Sequence, residues 1–245
     1  MLNNMKITNL YSPNFNKKKR LNKAIKIIVI HYTGMQSERE SIMRLCNPRS
    51  KVSSHFVINQ NGKVYRLVKD RHIAWHAGKS CWGRYRKLNK NSIGIELVNK
   101  GHQFGYANFR KKQLLSLIKI CKRLIKKYRI KKRNVVGHSD ISPLRKIDPG
   151  EKFPWKLLAK KNIGIWHGCK SSFLRKFRKI KISTKKDKIK LVKNLKKIGY
   201  CFPTNKKSFF IKTMKAFQRH HRKELINGLA DKECLIIAQN LSKNS

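Results

Sequence analysis

The chain has 245 residues, with 61 Lys and Arg against 11 Asp and Glu, for a formal net charge of +50. An apolar content of 40% supplies a real core and excludes a disordered polycation. The charge implies attraction to a polyanion (nucleic acid, an anionic membrane face or an acidic wall polymer) or, alternatively, drift of genome composition towards Lys at exposed positions.

The first 20 residues, MLNNMKITNLYSPNFNKKKR, read as a basic arm with no apolar segment ahead of the basic cluster, so no standard signal peptide is visible. No stretch reaches the length of a membrane span. IKIIVIHYT, residues 25–33, is β-branched and apolar, the pattern of a buried central strand. SERESIMRL follows with Ser37 and Glu40 at capping-box spacing, which predicts a short helix. HFVINQNGKVYRLV alternates on either side of Asn61-Gly62 and predicts a hairpin, and SIGIELVN predicts another strand. From Phe109 to Tyr128 apolar residues recur at helical spacing: Leu114, Leu117 or Ile118, Cys121, Leu124 or Ile125, and Tyr128. NVVGH returns as a strand, and FPWKLLAKK is a short helix with Pro near its start. Strands and helices interleave, so residues 21–168 form a mixed α/β domain.

Residues 169–185 are basic and weakly periodic, which predicts a linker. Three amphipathic pieces follow, with apolar faces at Leu191, Val192 and Leu195, at Phe210, Met214 and Phe217, and at Leu235, Ile236 and Leu241. They predict a small three-helix domain over residues 186–245, marginally stable alone. Cys46, Cys81, Cys121, Cys169, Cys201 and Cys234 include no CxxC pair. That spacing matches neither a zinc knuckle nor a disulfide framework and predicts reduced thiols, with Cys121 buried on its helix face.

Carboxylates are scarce, so the grouping of His138, Asp140 and Asp148 in VVGHSDISPLRKIDPG stands out. His31 ends the first strongly apolar strand and His138 ends a later one. Strand ends are where side chains leave the core and converge on a cleft. His31, His138 and Asp148 together make a two-His, one-carboxylate set for zinc, with a fourth position open to water. Glu96 is a carboxylate in an otherwise apolar strand, costly unless it faces a cleft, and suits a general base. Lys146, two residues before Asp148, can reach the same site and stabilise a developing oxyanion. Each has a plainer alternative: hydrogen-bonded structural histidines, a Glu96 paired with lysine, and an Asp140 that only makes a turn or cap.

IVIHYTG, SSHFVINQNGKVYRLV, AWHAG, NSIGIELVN and GHSDISPLRKIDPG occur in the order found in the type-2 N-acetylmuramoyl-L-alanine amidases, which share their fold with peptidoglycan recognition proteins. The resemblance covers residues 25–168 and includes Phe153, Pro154 and Trp155. It implies a mixed, twisted sheet flanked by helices, a zinc ion held by His31, His138 and Asp148, Glu96 as catalytic base, and Lys146 assisting at the tetrahedral intermediate. The reaction it implies is hydrolysis of the amide joining the lactyl group of N-acetylmuramic acid to L-alanine, in peptidoglycan or muropeptides. Trp75 and His76 in AWHAG are then groove residues that contact glycan or peptide; the alternative is an aromatic packed in the core beside a satisfied His. His55 either orients a ligand or fills a strand, and His72, His102 and His167 are read as surface residues. LKKIGY, AFQ at Ala216 to Gln218 and the turn from Gly228 to Asp231 resemble the three-helix peptidoglycan-binding domain found after such amidases.

Two other function classes compete. A non-catalytic peptidoglycan-binding protein on the same fold would usually lack a zinc ligand, whereas all three are present here with Glu96 and Lys146. A specific nucleic-acid binder rests on charge alone, without a recognisable helix-turn-helix, zinc finger or RNA-binding motif. The substrate class points to the bacterial envelope. Cytoplasm is the alternative, because no signal peptide is visible and the cysteines look unpaired.

Overall fold

The computed structural model describes residues 6–203 and 206–243. Residues 1–5 of the expected arm, and residues 204, 205, 244 and 245 of the expected helical domain, lie outside the described residues.

Two short strands, β1 (Ile7–Asn9) and β2 (Phe15–Asn16), come first, inside the segment expected to be a basic arm. β1 pairs in the main sheet, so this segment is woven into the fold rather than projecting from it. An edge strand of three residues needs no two-sided apolar run, which is why its sequence carries no strand pattern. The predicted central strand is β3 (Ile27–Tyr32). Ser37 caps α1 (Glu38–Cys46) by accepting the Glu40 N–H at 3.1 Å. β4 (Phe56–Ile58) and β5 (Val64–Arg66) are the predicted hairpin. β6 (Ile73–Ala74), β7 (Cys81–Trp82) and β8 (Tyr85–Arg86) are two-residue strands in small ribbons, and β9 (Ser92–Leu97) returns to the main sheet. α2 (Lys111–Tyr128), β10 (Val135–Gly137), α3 (His138–Ile141) and α4 (Trp155–Lys160) complete this part of the chain.

The main sheet has the order β1-β5-β4-β9-β3-β10, parallel except for the β4–β5 hairpin. Period-2 alternation sends Ile28, Ile30, Ile93, Ile95, Leu97 and Val135 to one face. α2 covers that face with Leu114, Leu117, Cys121 and Leu124, as the helical spacing predicts. Ile27, Val29 and Val136 point to the other face, so His31 and Glu96, in register across β3 and β9, also lie on that side. The sheet therefore places both residues away from α2, at the carboxyl ends of parallel strands, where a cleft opens.

The expected linker contains a short helix, α5 (Ser171–Arg175), and buries Leu174 and Ile182. Three helices follow as predicted: α6 (Lys185–Ile198), α7 (Lys207–His221) and α8 (Lys232–Lys243). Their buried side chains include Leu191, Leu195, Met214, Phe217, Ile237 and Leu241, in one apolar cluster with Ile27, Val29 and Val136 of the sheet. Val192, Phe210 and Ile236 stay partly exposed, while Ile198, Phe209 and Ile237 are buried. Gln218 of AFQ accepts the Gly228 N–H at 2.8 Å, and Asp231 caps α8 by accepting the Cys234 N–H at 2.8 Å.

The cysteine pattern is corrected in one respect. Cys81 of β7 and Cys201, just after α6, are joined by a disulfide with a Cα–Cα separation of 6.1 Å. The partners are 120 residues apart, so local spacing could not reveal them. Cys46, Cys121, Cys169 and Cys234 are free, and Cys121 is buried as expected. Among the described residues, no helix is long and apolar enough to cross a membrane.

Candidate active site

Three predicted residues meet on the face of the sheet away from α2. His31 is the fifth residue of β3, His138 opens α3 directly after β10, and Asp148 follows the turn beyond α3. His31 Nδ1 lies 3.0 Å from His138 Nδ1 and 3.0 Å from Asp148 Oδ2, and His138 Nδ1 lies 3.1 Å from the same oxygen. All three side chains are buried.

Hydrogen bonds behind the ring atoms fix their protonation. The Ser92 hydroxyl donates to the Leu88 carbonyl at 2.7 Å, so its oxygen accepts from His76 Nε2–H at 3.1 Å. Burial, reinforced by His31, drives the His76 pKa well below the usual value, so the ring is neutral and its Nδ1 is an acceptor. That atom takes the His31 Nε2–H at 3.1 Å. Burial, then His138, pushes His31 down to about 4, against the opposing pull of Asp148. Neutral His31 thus turns an Nδ1 lone pair towards His138 and Asp148. His138 Nε2–H donates to the Ala77 carbonyl at 3.3 Å, so the neutral form of this ring carries its lone pair on Nδ1, in the same place. Two imidazole lone pairs and a carboxylate oxygen at 3.0–3.1 Å repel one another unless a cation sits between them. The donor set fits a divalent metal, and two nitrogens plus one oxygen is a ligand set of catalytic zinc.

Glu96 faces this cluster from the neighbouring strand. Its Oε2 is buried without a hydrogen-bond partner among the described residues. Burial first, then the Asp148 carboxylate, pushes its pKa up to about 8, while Lys146 pulls it down. Lys146 lines the same cleft, has no ion pair among the described residues, and its charge acts on both Glu96 and His31. The cleft has a volume of about 550 Å³ and is also lined by Trp75, Arg145 and Phe104. Trp75 is held at the rim by its Nε1–H, which donates to Asn16 Oδ1 at 2.6 Å. His76 lines the cleft and also steadies His31 from behind.

His55 is buried on the strand side, accepting the Gly94 N–H at Nδ1 (3.0 Å) and bonding the His72 carbonyl through Nε2 (3.1 Å). Asp140 is a cap, as its position suggested, accepting the Gly137 N–H at 2.7 Å. His72 and His167 are partly buried, and exposed His102 bonds Glu151 at 3.1 Å.

Sequence reasoning missed the supporting layer of Ser92, Gly94 and the Ala77 carbonyl. The glycine in SIGIE was a usable signal, since a strand-interior glycine marks a close approach. A Cβ on Gly94 would stand 2.5 Å from His76 Cγ, so the imidazole lies flat on the bare backbone. Gly94→Ala should therefore displace His76, loosen His31 and weaken metal binding about tenfold, the usual effect of losing a group that orients a ligand. Chelator competition measures this, and an unchanged metal affinity would contradict it.

The family model for N-acetylmuramoyl-L-alanine amidase matches residues 21–151. The chain is 38% identical over 231 residues to the N-acetylmuramoyl-L-alanine amidase AmiD of Escherichia coli, covering 89% of this chain and 82% of that one. It is 33% identical over 165 residues to the 1,6-anhydro-N-acetylmuramyl-L-alanine amidase AmpD of Haemophilus influenzae, covering 60% of this chain and 87% of the relative. The structure of E. coli AmiD with anhydro-N-acetylmuramic acid-L-Ala-D-gamma-Glu-L-Lys superimposes with a TM-score of 0.79 at 34% identity, over 94% of this chain and 93% of that one. The chain belongs to the N-acetylmuramoyl-L-alanine amidase family.

Proposed function

We propose that the protein is a zinc-dependent amidase that hydrolyses the bond between N-acetylmuramic acid and L-alanine in peptidoglycan or its muropeptide fragments. The observation that carries this reading is the convergence of His31 Nδ1, His138 Nδ1 and Asp148 Oδ2 within 3.1 Å, beside the unpartnered Glu96 Oε2. These three residues would hold zinc, which would supply Lewis acidity to the site. Glu96 takes the water's proton and returns it to the leaving alanine nitrogen. Lys146 places positive charge where the carbonyl oxygen becomes negative. Trp75 supplies an aromatic wall for glycan or peptide, and His76 keeps the His31 lone pair directed into the site.

Residues 21–168 then carry the chemistry, and the helices of residues 186–245 add contact with the wall polymer. The Cys81–Cys201 disulfide supports an oxidising compartment, hence the envelope, because such bonds are rare in the cytosol. With a net charge of +50, binding to acidic sacculi should weaken sharply between about 0.1 and 1 M salt, where the screening length falls from about 10 to 3 Å. A co-sedimentation titration measures this, and salt-independent binding would remove charge from the account.

The reading is tested by mass spectrometry after incubation with anhydro-N-acetylmuramyl tripeptide. A free peptide with an L-Ala amino terminus and an intact sugar acid is the expected result. Tight binding without cleavage would favour a recognition protein instead.

A further inference from the structure

We propose that Tyr200 and His220, acting through Asp140, position the metal ligand His138, so that the C-terminal helices are part of the catalytic unit. This rests on His31, His138 and Asp148 being the zinc site.

α3 has four residues, too few to hold its own shape, and its first residue is His138. Two outside anchors flank that histidine. On one side the Ser139 N–H donates to the Asp148 carbonyl at 2.8 Å, tying the helix to the segment that carries the third ligand. On the other side the Gly137 N–H donates to Asp140 Oδ2 at 2.7 Å. Asp140 is in turn held from the C-terminal helices: Tyr200 O–H donates to Oδ1 at 2.7 Å, and His220 Nδ1 meets Oδ2 at 2.7 Å. All of these side chains are buried.

Neither partner is free to drift. The His220 ring stacks on Trp155 with centroids 3.8 Å apart and planes within 14°. Tyr200 sits between Trp82 at 5.0 Å and Phe217 at 5.8 Å. Slack is also missing beneath the turn, since a Cβ on Gly137 would lie 2.7 Å from Pro149 Cδ. A buried carboxylate needs its donors. Without Tyr200 and His220, Asp140 keeps one backbone N–H and is drawn towards water, taking Gly137 and the aim of His138 with it. The contacts cross 60 and 80 residues of sequence, from the C-terminal helical segment to the stretch of chain, α3 and the turn after it, that holds two metal ligands.

The test is zinc affinity by chelator competition, alongside melting temperature of the metal-free protein, for wild type, Tyr200→Phe, His220→Phe and Leu191→Ala. Tyr200→Phe keeps the ring and His220→Phe keeps an aromatic ring at the stacking position, and each removes the polar contact with Asp140. Leu191 is fully buried in α6, and it serves as a control that loosens the helices without touching Asp140. Each polar-contact variant should weaken zinc binding about tenfold. Leu191→Ala should lower the melting temperature as much or more and leave zinc affinity within twofold. If Tyr200→Phe and His220→Phe bind zinc as wild type does, or if Leu191→Ala weakens binding equally, the helices act only as structural support and the proposal falls. Wild-type protein that takes up no zinc would instead overturn the metal-site reading beneath it.

Discussion

Glu96→Gln should lower the rate of amide hydrolysis by a factor of about 1,000, within the range for loss of a positioned acid-base group, yet make the metal-free protein more stable at alkaline pH. Both effects have one cause. Glu96 is half-buried, with Oε2 buried and unpartnered beside Asp148, so folding raises its pKa from 4.5 to about 8. Between those values the native state holds a proton that the unfolded state has released. Stability therefore falls as pH rises through this window, and the full penalty is present above pH 8. Glutamine keeps the shape and cannot ionise. Its advantage should be absent below pH 4.5, grow through the window and level off above pH 8. The whole shift at 1.36 kcal/mol per unit would overstate the gain, because the side chain reaches cleft water; about 2 kcal/mol is a fair scale. Melting curves with chelator across the pH range check this, and a pH-independent difference between variant and wild type would refute it.

Asp148→Asn should erase zinc binding without unfolding the metal-free protein. Asp148 supplies the only negative charge among the three converging atoms, and its Oδ2 faces both imidazole lone pairs. Its loss should cost more than the roughly 10–100-fold seen when a group merely supporting a ligand is removed. An asparagine amide can donate to His31 or His138 Nδ1, so the empty site is relieved rather than strained. In wild type, zinc at about 1,000 times its Kd should add about 4 kcal/mol of stability. The variant should show no zinc-dependent rise in melting temperature, and a rise equal to wild type would show that zinc binds elsewhere.

Much of this site was legible in the sequence because its parts are local signals. β3 is an unbroken apolar run ending in His31, the β4–β5 hairpin turns on Asn61-Gly62, and His138 and Asp148 sit ten residues apart in one motif. Glu96 was conspicuous as a charge in an apolar strand, and β9 pairs it with His31. What escaped depends on distant partners. β1 gains its structure from β5, more than fifty residues later, and Cys81 from Cys201. Asp140 reads as a local cap and is one, but its other partners, Tyr200 and His220, lie in another part of the chain. The tautomers of His31 and His76 follow only once Ser92 and Leu88 are placed in space. Spacing can nominate a ligand, while its orientation is a property of the packed fold.

Hydrolysis of one defined muropeptide by the purified protein, stripped with chelator and then titrated with zinc, would decide whether the metal drives the reaction. Cleavage should be absent after stripping, and L-alanine-terminated peptide should be fully recovered at one equivalent of zinc. Undiminished cleavage by the stripped protein would contradict this, because the reaction would then proceed without a cation held by His31, His138 and Asp148.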